Sequence, residues 1–165
     1  MKPVSLLVAL IGSSAFIASA LAQHDASHHG HVPGHGAGHA DMQDGRELVA
    51  FPAPMRAHTL SNMRDHLKAM GDIQAAMSKE DLDLAARIAE QRLGMSSLEA
   101  HGAHDLAGFM PEGMRAAGTA MHRSASQLAV ELRNTGATGD WKPSLASFAR
   151  LTQTCVACHA AYRLQ

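Results

Sequence analysis

The sequence has few aromatic side chains, almost no net charge and only two cysteines. Phe, Trp and Tyr together make up 4% of its 165 residues, whereas there are 10 methionines. A core with few rings and many flexible apolar chains is typical of packed helices in which Met fills irregular gaps, and it leaves room for a flat cofactor. The 14 basic and 15 acidic residues give a net charge of −1. This balance argues against a nucleic-acid-binding protein, which would carry a basic surface.

An uninterrupted apolar run that could cross a bilayer is also absent. The stretch LLVALIGSSAFIASA follows Lys2, contains Gly-Ser-Ser at residues 12–14 and leads to Ala20-Leu21-Ala22. It falls short of the ~20 apolar residues that a spanning helix needs, and its layout is that of a cleavable secretory signal. We therefore expect residues 1–22 to be a signal peptide that directs the protein to the bacterial periplasm and leaves no stable membrane anchor.

The segment that follows, residues 23–49, has no apolar periodicity. Its stretch HDASHHGHVPGHGAGHADMQDG, residues 24–45, contains six histidines and five glycines, and we predict a disordered arm. Neutral imidazoles bind copper, zinc and nickel, so capture of such ions is one interpretation. A solvated linker is the other, since the histidines have no fixed ligand spacing.

Alternating strand patterns are absent as well, and residues 50–165 are predicted to form one all-α domain. We expect helices at about residues 54–77, 79–104, 114–134 and from Pro143 toward the end of the chain, the second of them capped by Ser78. Four amphipathic helices with short connections bury their apolar faces most simply as an antiparallel four-helix bundle. Side chains that recur at alternating intervals of three and four residues predict the buried face of the first helix. This face comprises Leu60, Met63, Leu67, Met70, Gln74 and Met77.

Both cysteines lie in the last helix, in the stretch TCVACHAAYR at residues 154–163. A redox Cys-x-x-Cys site needs a βαβ setting that this chain lacks. A zinc site would need two further ligands, for which His101 and His104 lie one helical turn apart. In covalent haem attachment each thiol binds one haem vinyl group and the next histidine reaches the iron. The motif therefore predicts one covalent haem c, with Cys155 and Cys158 as tethers and His159 as an axial ligand.

A haem motif on the last of four helices, close to the end of the chain, resembles the cytochrome c prime family. The match is carried by CVACHAAYR, through Cys155, Cys158, His159, Tyr162 and Arg163, and by FMPEGM at residues 109–114, which is similar to that family's connector between its second and third helices. The resemblance covers about residues 50–165. It implies that Arg163 packs near the proximal side of the haem; a cation that favours the helix C-terminus is the alternative.

The resemblance also implies that the sixth position of the iron decides the function. High-spin members leave it open or blocked by an apolar side chain and bind nitric oxide or carbon monoxide, whereas low-spin relatives place a methionine there and carry electrons. By eye, Met63 falls at or next to that methionine, although a Met on an apolar stripe also suits core packing. His66 lies off the stripe and is expected in solvent. If the first helix is rotated, His66 becomes the second candidate for the sixth ligand of the iron. No motif includes His101, His104 or His122, which we expect at the surface or with satisfied hydrogen bonds.

Together these features predict a periplasmic c-type cytochrome that carries single electrons and is not an enzyme. Its partner would be a periplasmic redox protein that docks transiently. A five-coordinate haem protein that binds NO or CO is the first alternative, and a protein that binds copper, zinc or nickel through its histidine arm is the second. A peroxidase is less favoured, because the sequence shows no distal base at a fixed spacing. The chain could also pair as a homodimer, as relatives do.

Overall fold

The computed structural model describes residues 44–165, so the predicted signal peptide and all but the end of the predicted arm lie outside the described residues. Within this range the protein is mostly helical, which confirms the all-α prediction. Its elements are β1 (Glu47–Val49), α1 (Ala53–Met77), α2 (Leu82–Ile88), α3 (Ala103–Ala107), α4 (Glu112–Thr138), α5 (Lys142–Ala161) and β2 (Tyr162–Leu164). None of the helices described is long and apolar enough to cross a membrane.

Helix α1 is rotated relative to the predicted stripe. Leu67, at the centre of that stripe, is 76% exposed, while Ala69 and Ile73 are fully buried. Small alanines add little to a pattern of large apolar residues, yet they let helices approach closely, and α1 packs against α2 on this face. The rotation brings His66 into the half-buried zone, so the expectation that His66 lies in solvent is wrong.

The predicted helix at residues 79–104 is broken in the structure. Its N-cap is Asp81, whose carboxylate accepts the Leu84 N–H at 3.1 Å, rather than Ser78. After α2 the chain forms a π-helical turn, Ala89–Leu93, and then the extended residue Gly94. A Cβ at Gly94 would lie 2.7 Å from the Glu90 carbonyl oxygen, so this sharp exit from the helix requires glycine. A short 3-10 turn, Met95–Ser97, and a loop then lead to α3.

Helices α4 and α5 form the most extensive helix pair. Helix α4 continues through Gly136 and ends at Gly139, which adopts the left-handed φ of +75° typical of a helix C-terminus. As predicted, Pro143 lies in the first turn of α5. The core between α1, α2, α4 and α5 is built from small and branched aliphatic side chains, among them Ile73, Ala85, Leu93, Ala125, Leu128, Leu132 and Leu151.

A two-stranded parallel sheet, which the sequence pattern did not predict, joins the two ends of the described chain. Glu47 pairs with Tyr162 and Val49 pairs with Leu164, and the Gln165 N–H donates to the Val49 carbonyl at 3.3 Å. Residues 47–49, which we assigned to the disordered arm, are therefore ordered, and Val49 is buried. Strand β2 begins directly after α5, so the sheet lies beside the Cys-x-x-Cys-His motif.

Candidate functional site

A cavity of about 460 Å³ lies between α1, α3, α4, the end of α5 and β2. This volume is within the range of small-molecule and cofactor sites. Four of the five predicted site residues line it, namely Met63, Cys158, His159 and Arg163. These residues come from three elements, so the fold brings together positions that are up to one hundred residues apart in the sequence.

The last two turns of α5 present the predicted attachment motif. Cys155 and Cys158 are three residues apart, lie on the same side of the helix and are both free thiols. Cys158 lines the cavity, whereas Cys155 packs against the core and its Sγ lies 3.6 Å from the Leu151 carbonyl oxygen. Burial raises the pKa of both thiols, so they are protonated near neutral pH. His159 is exposed and lies at the edge of the cavity.

Met63 lies on the α1 wall of the cavity and is half-buried. The cavity is also lined by Met110, Met114 and Met121, which no sequence pattern indicated as site residues. Thioether side chains are flexible and polarisable, so they adapt to a flat apolar ligand. Met63 is thus one of several methionines at this site, and its proposed role as a ligand rests on the resemblance.

A cluster of three histidines, His66, His101 and His122, forms the part of the cavity wall between α1, the loop before α3 and α4. The ring centroids of His66 and His101 are 4.6 Å apart, and those of His101 and His122 are 5.4 Å apart. Burial, helped by the two neighbouring histidines, lowers the pKa of His66 to about 4. Burial also lowers the pKa of His101 and His122, so all three rings are neutral near pH 7.

The sequence pattern did not predict that these three histidines would lie together. His122 was expected at the surface or with satisfied hydrogen bonds; it is buried, with 7% exposure, and its Nδ1 bonds to the Leu93 carbonyl oxygen, so the second of these expectations agrees with the structure. One signal could have located it: His122 precedes Ala125, Ala129 and Leu132 at the helical spacing of the buried face of α4. By contrast, His104 is fully exposed, as expected.

Hydrogen bonds around the histidine cluster fix the positions of the ring protons. The His122 Nδ1 lies 2.7 Å from the Leu93 carbonyl oxygen, which only accepts, so Nδ1 carries the hydrogen. The Ser97 hydroxyl donates to the Gly94 carbonyl at 2.7 Å. The Ser97 oxygen, which lies 3.3 Å from His101 Nδ1, therefore accepts a hydrogen bond from that nitrogen. Hence His101 and His122 both carry a hydrogen on Nδ1 and a lone pair on Nε2.

Contacts of two further side chains, Asn62 and Arg92, hold the cluster in place. The Asn62 side chain donates to the His101 carbonyl at 3.1 Å and so joins α1 to the loop before α3. Arg92, in the π-helical turn, bonds to Asp65 and Asp72 of α1. The break in the predicted helix at Gly94 therefore positions the site, because it directs the following chain back toward α1.

Arginines occupy another part of the cavity wall, where Arg46, Arg56 and Arg163 contribute. The Arg163 Nε is buried and forms no hydrogen bond within the described residues; its nearest acid is Asp44, at an ion-pair distance of 3.5 Å. Asp44 is already bound by Arg46 at 2.7 Å, and that hydrogen bonding lowers the pKa of Asp44 to about 2. This wall therefore carries more positive than negative charge.

Arg163 does not belong to the last helix, as its assignment to the haem motif of that helix implied, since α5 ends at Ala161 and Arg163 lies in β2. Its side chain nevertheless lines the cavity. The strand conformation places Arg163 in register with Leu48 of β1. In this way the sheet, rather than the helix, positions the guanidinium.

The residues present suit a haem. Cys158 and His159 line one edge of a mostly apolar cavity, and Cys155 lies one helical turn before Cys158. The guanidinium of Arg163, whose Nε forms no hydrogen bond within the described residues, suits the carboxylates of such a group. At Gly118 of α4, an added Cβ would meet no atom within 4 Å, so the glycine leaves space open to a planar ligand. At Gly113 an added Cβ would collide with the Tyr162 hydroxyl, so this glycine allows β2 to approach α4.

The alternative zinc site is not formed. Among residues 44–165, no three His, Cys, Asp or Glu side chains are arranged to hold a metal ion. The histidines of the predicted arm lie outside the described residues. In comparisons with protein-family models, curated proteins and solved structures, nothing matches this chain.

Proposed function

We propose that the protein is a periplasmic c-type cytochrome that carries single electrons. In this proposal one haem c is bound covalently through Cys155 and Cys158, His159 is an axial ligand and Met63 is the sixth ligand. The helices form the antiparallel four-helix bundle of the cytochrome c prime family that the sequence resembles. The observation that best supports the proposal is the shared cavity, whose lining includes Cys158, His159, Met63 and Arg163.

The haem would supply one-electron cycling of its iron between the ferric and ferrous states. The chain would determine how readily this happens. Methionines and aliphatic side chains of the cavity exclude water, and a thioether ligand favours ferrous iron, so Met63 would raise the reduction potential. Arg163 and Arg46 would hold the carboxylates of the cofactor. The electron would pass to a redox protein that docks transiently at the haem edge.

Expression with a periplasmic haem-attachment system tests the proposal. We expect haem that stays bound in denaturant, and a low-spin spectrum with a methionine-to-iron charge-transfer band in the ferric state. Cys155→Ser with Cys158→Ser should abolish covalent attachment. Met63→Leu should remove the charge-transfer band, whereas Met70→Leu, a half-buried methionine on the same helix outside the cavity lining, should keep it. Absence of bound haem in the unmodified protein would refute the proposal.

A second candidate function is the binding of NO or CO by five-coordinate iron. The several methionines of the cavity lining favour it, because a thioether side chain is also a flexible apolar group that packs against a flat ligand without binding its iron. In that case Met63 would only pack against the haem face. A high-spin spectrum of the unmodified protein and rapid CO binding to its ferrous form would select this function over electron transfer.

A further inference from the structure

His122 stands out in the histidine cluster because its hydrogen bond leaves one ring nitrogen ready to bind a metal. Its Nδ1 hydrogen is held by the Leu93 carbonyl at 2.7 Å. The Nε2 lone pair has no partner within the described residues, although the side chain is only 7% exposed and lines the cavity. A backbone carbonyl behind the ring is the usual support of a metal-ligating histidine, since it fixes the tautomer and the ring orientation.

The other two histidines are less suitable donors. The His66 Nε2 lies 3.5 Å from the His101 Nδ1 and faces the hydrogen that this nitrogen donates to Ser97, so the lone pair of His66 is directed at a neighbouring ring. His101 belongs to the loop before α3 and is only half-buried. His122 lies within α4, a 27-residue helix that packs along α5, the helix that carries the proposed attachment motif. Its position relative to that motif is thus set by a rigid helix pair.

The cavity therefore offers two kinds of donor from two different helices. Met63 on α1 provides a thioether, and His122 on α4 provides a neutral imidazole nitrogen. Thioethers are soft ligands that suit ferrous iron, whereas imidazole suits iron more generally. With only one of these donors, the sixth coordination position of the iron would be empty whenever that donor moved away.

We infer that His122 is a reserve sixth ligand, whose Nε2 binds the haem iron when Met63 does not. This inference rests on the proposed function, because it requires the haem held by His159. It implies that the iron remains six-coordinate after loss of Met63, so that carbon monoxide must displace a histidine before it can bind. The inference opposes the gas-binding alternative, in which the position is free.

Spectra of the haem-loaded full chain test this inference. In Met63→Leu we expect the methionine charge-transfer band to disappear while the ferric iron remains low-spin. Met63→Leu with His122→Gln should become high-spin and should bind CO at least tenfold faster than Met63→Leu. Added imidazole should return this double variant to the low-spin state. Met63→Leu with His104→Gln is the matched control, since His104 is a fully exposed histidine, and it should behave as Met63→Leu does.

A second measurement avoids any change at His122. Met63→Leu labelled with ¹⁵N-histidine, studied by pulsed electron paramagnetic resonance, should show two imidazole nitrogens bound to the ferric iron. One bound imidazole, or a high-spin spectrum of Met63→Leu, would overturn the inference and leave the electron-carrier proposal standing. Unmodified protein without covalent haem would instead overturn both, so the two failures are distinguishable.

Discussion

Acid should destabilise the haem-free protein through the histidine cluster. The pKa of His66 is lowered from 6.5 to about 4, chiefly by burial, so the folded chain holds this ring neutral where the unfolded chain protonates it. Between these two pKa values the unfolded state binds more protons, and stability therefore falls as the pH is lowered. From about pH 7 to about pH 5, His66 alone should remove roughly 2 kcal/mol of unfolding free energy. His101 and His122 act in the same direction, because burial lowers their pKa too.

Urea unfolding of the Cys155→Ser, Cys158→Ser variant, followed by circular dichroism at several pH values, measures this effect. His66→Gln should flatten the pH dependence by roughly the same 2 kcal/mol. His104→Gln should leave the pH dependence as it was, since that ring is fully exposed in the folded chain. An unfolding free energy that is constant from about pH 7 to about pH 5, or that rises toward acid, would show that the cluster is not buried as described.

Three further predictions concern the cavity and the core. In Gly118→Leu the new side chain should project into the open space beside α4 and sharply reduce haem attachment, measured as haem per polypeptide. Gly136→Leu, on the exposed part of the same helix, is the control and should not reduce it. Equal attachment in the two variants would contradict the placement of the cofactor. Arg163→Gln should remove a partly exposed cation that lies 3.5 Å from the Asp44 carboxylate, so the stability of the haem-free protein in urea should change little. The loss of the cation should lower the reduction potential of the haem protein by roughly tens of millivolts; an unchanged potential would place Arg163 away from the haem. Leu132→Ala, at a fully buried position, should cost about 2–5 kcal/mol of unfolding free energy, and Val130→Ala, at a position 43% exposed, should cost much less.

The features of this protein that the sequence predicts correctly are those that depend on short-range patterns. The Cys-x-x-Cys-His spacing fixes the relative positions of Cys155, Cys158 and His159 on one helix, whatever the rest of the chain does. Helices α1, α4 and α5 each begin within two residues of the predicted start, because proline and apolar periodicity mark helix starts locally. Met63 and Arg163 were also identified from the sequence, through the resemblance rather than through geometry.

The unpredicted part depends on long-range packing. The rotation of α1 is set by Ala69 and Ile73 meeting α2, and a pattern of large apolar residues does not detect a face built on alanine. The break at Gly94 was missed because one glycine within an apolar-periodic segment is a weak signal. Strands β1 and β2 contain three residues each, which is too short for an alternating pattern, and they pair across more than one hundred residues.

These long-range features determine which function the cavity can serve. The change of chain direction at Gly94 brings Leu93 and Ser97 into contact with His122. The rotation of α1 places His66 beside His101. The same fold therefore sets a carbonyl-supported imidazole in the wall of the cavity that also contains Met63. If the iron lies between His159 and this wall, as proposed, two protein donors compete with any gas for one position. A ligand such as carbon monoxide then binds only after the bound donor has left the iron and before the other donor takes its place, and that condition favours the electron carrier over the gas-binding protein.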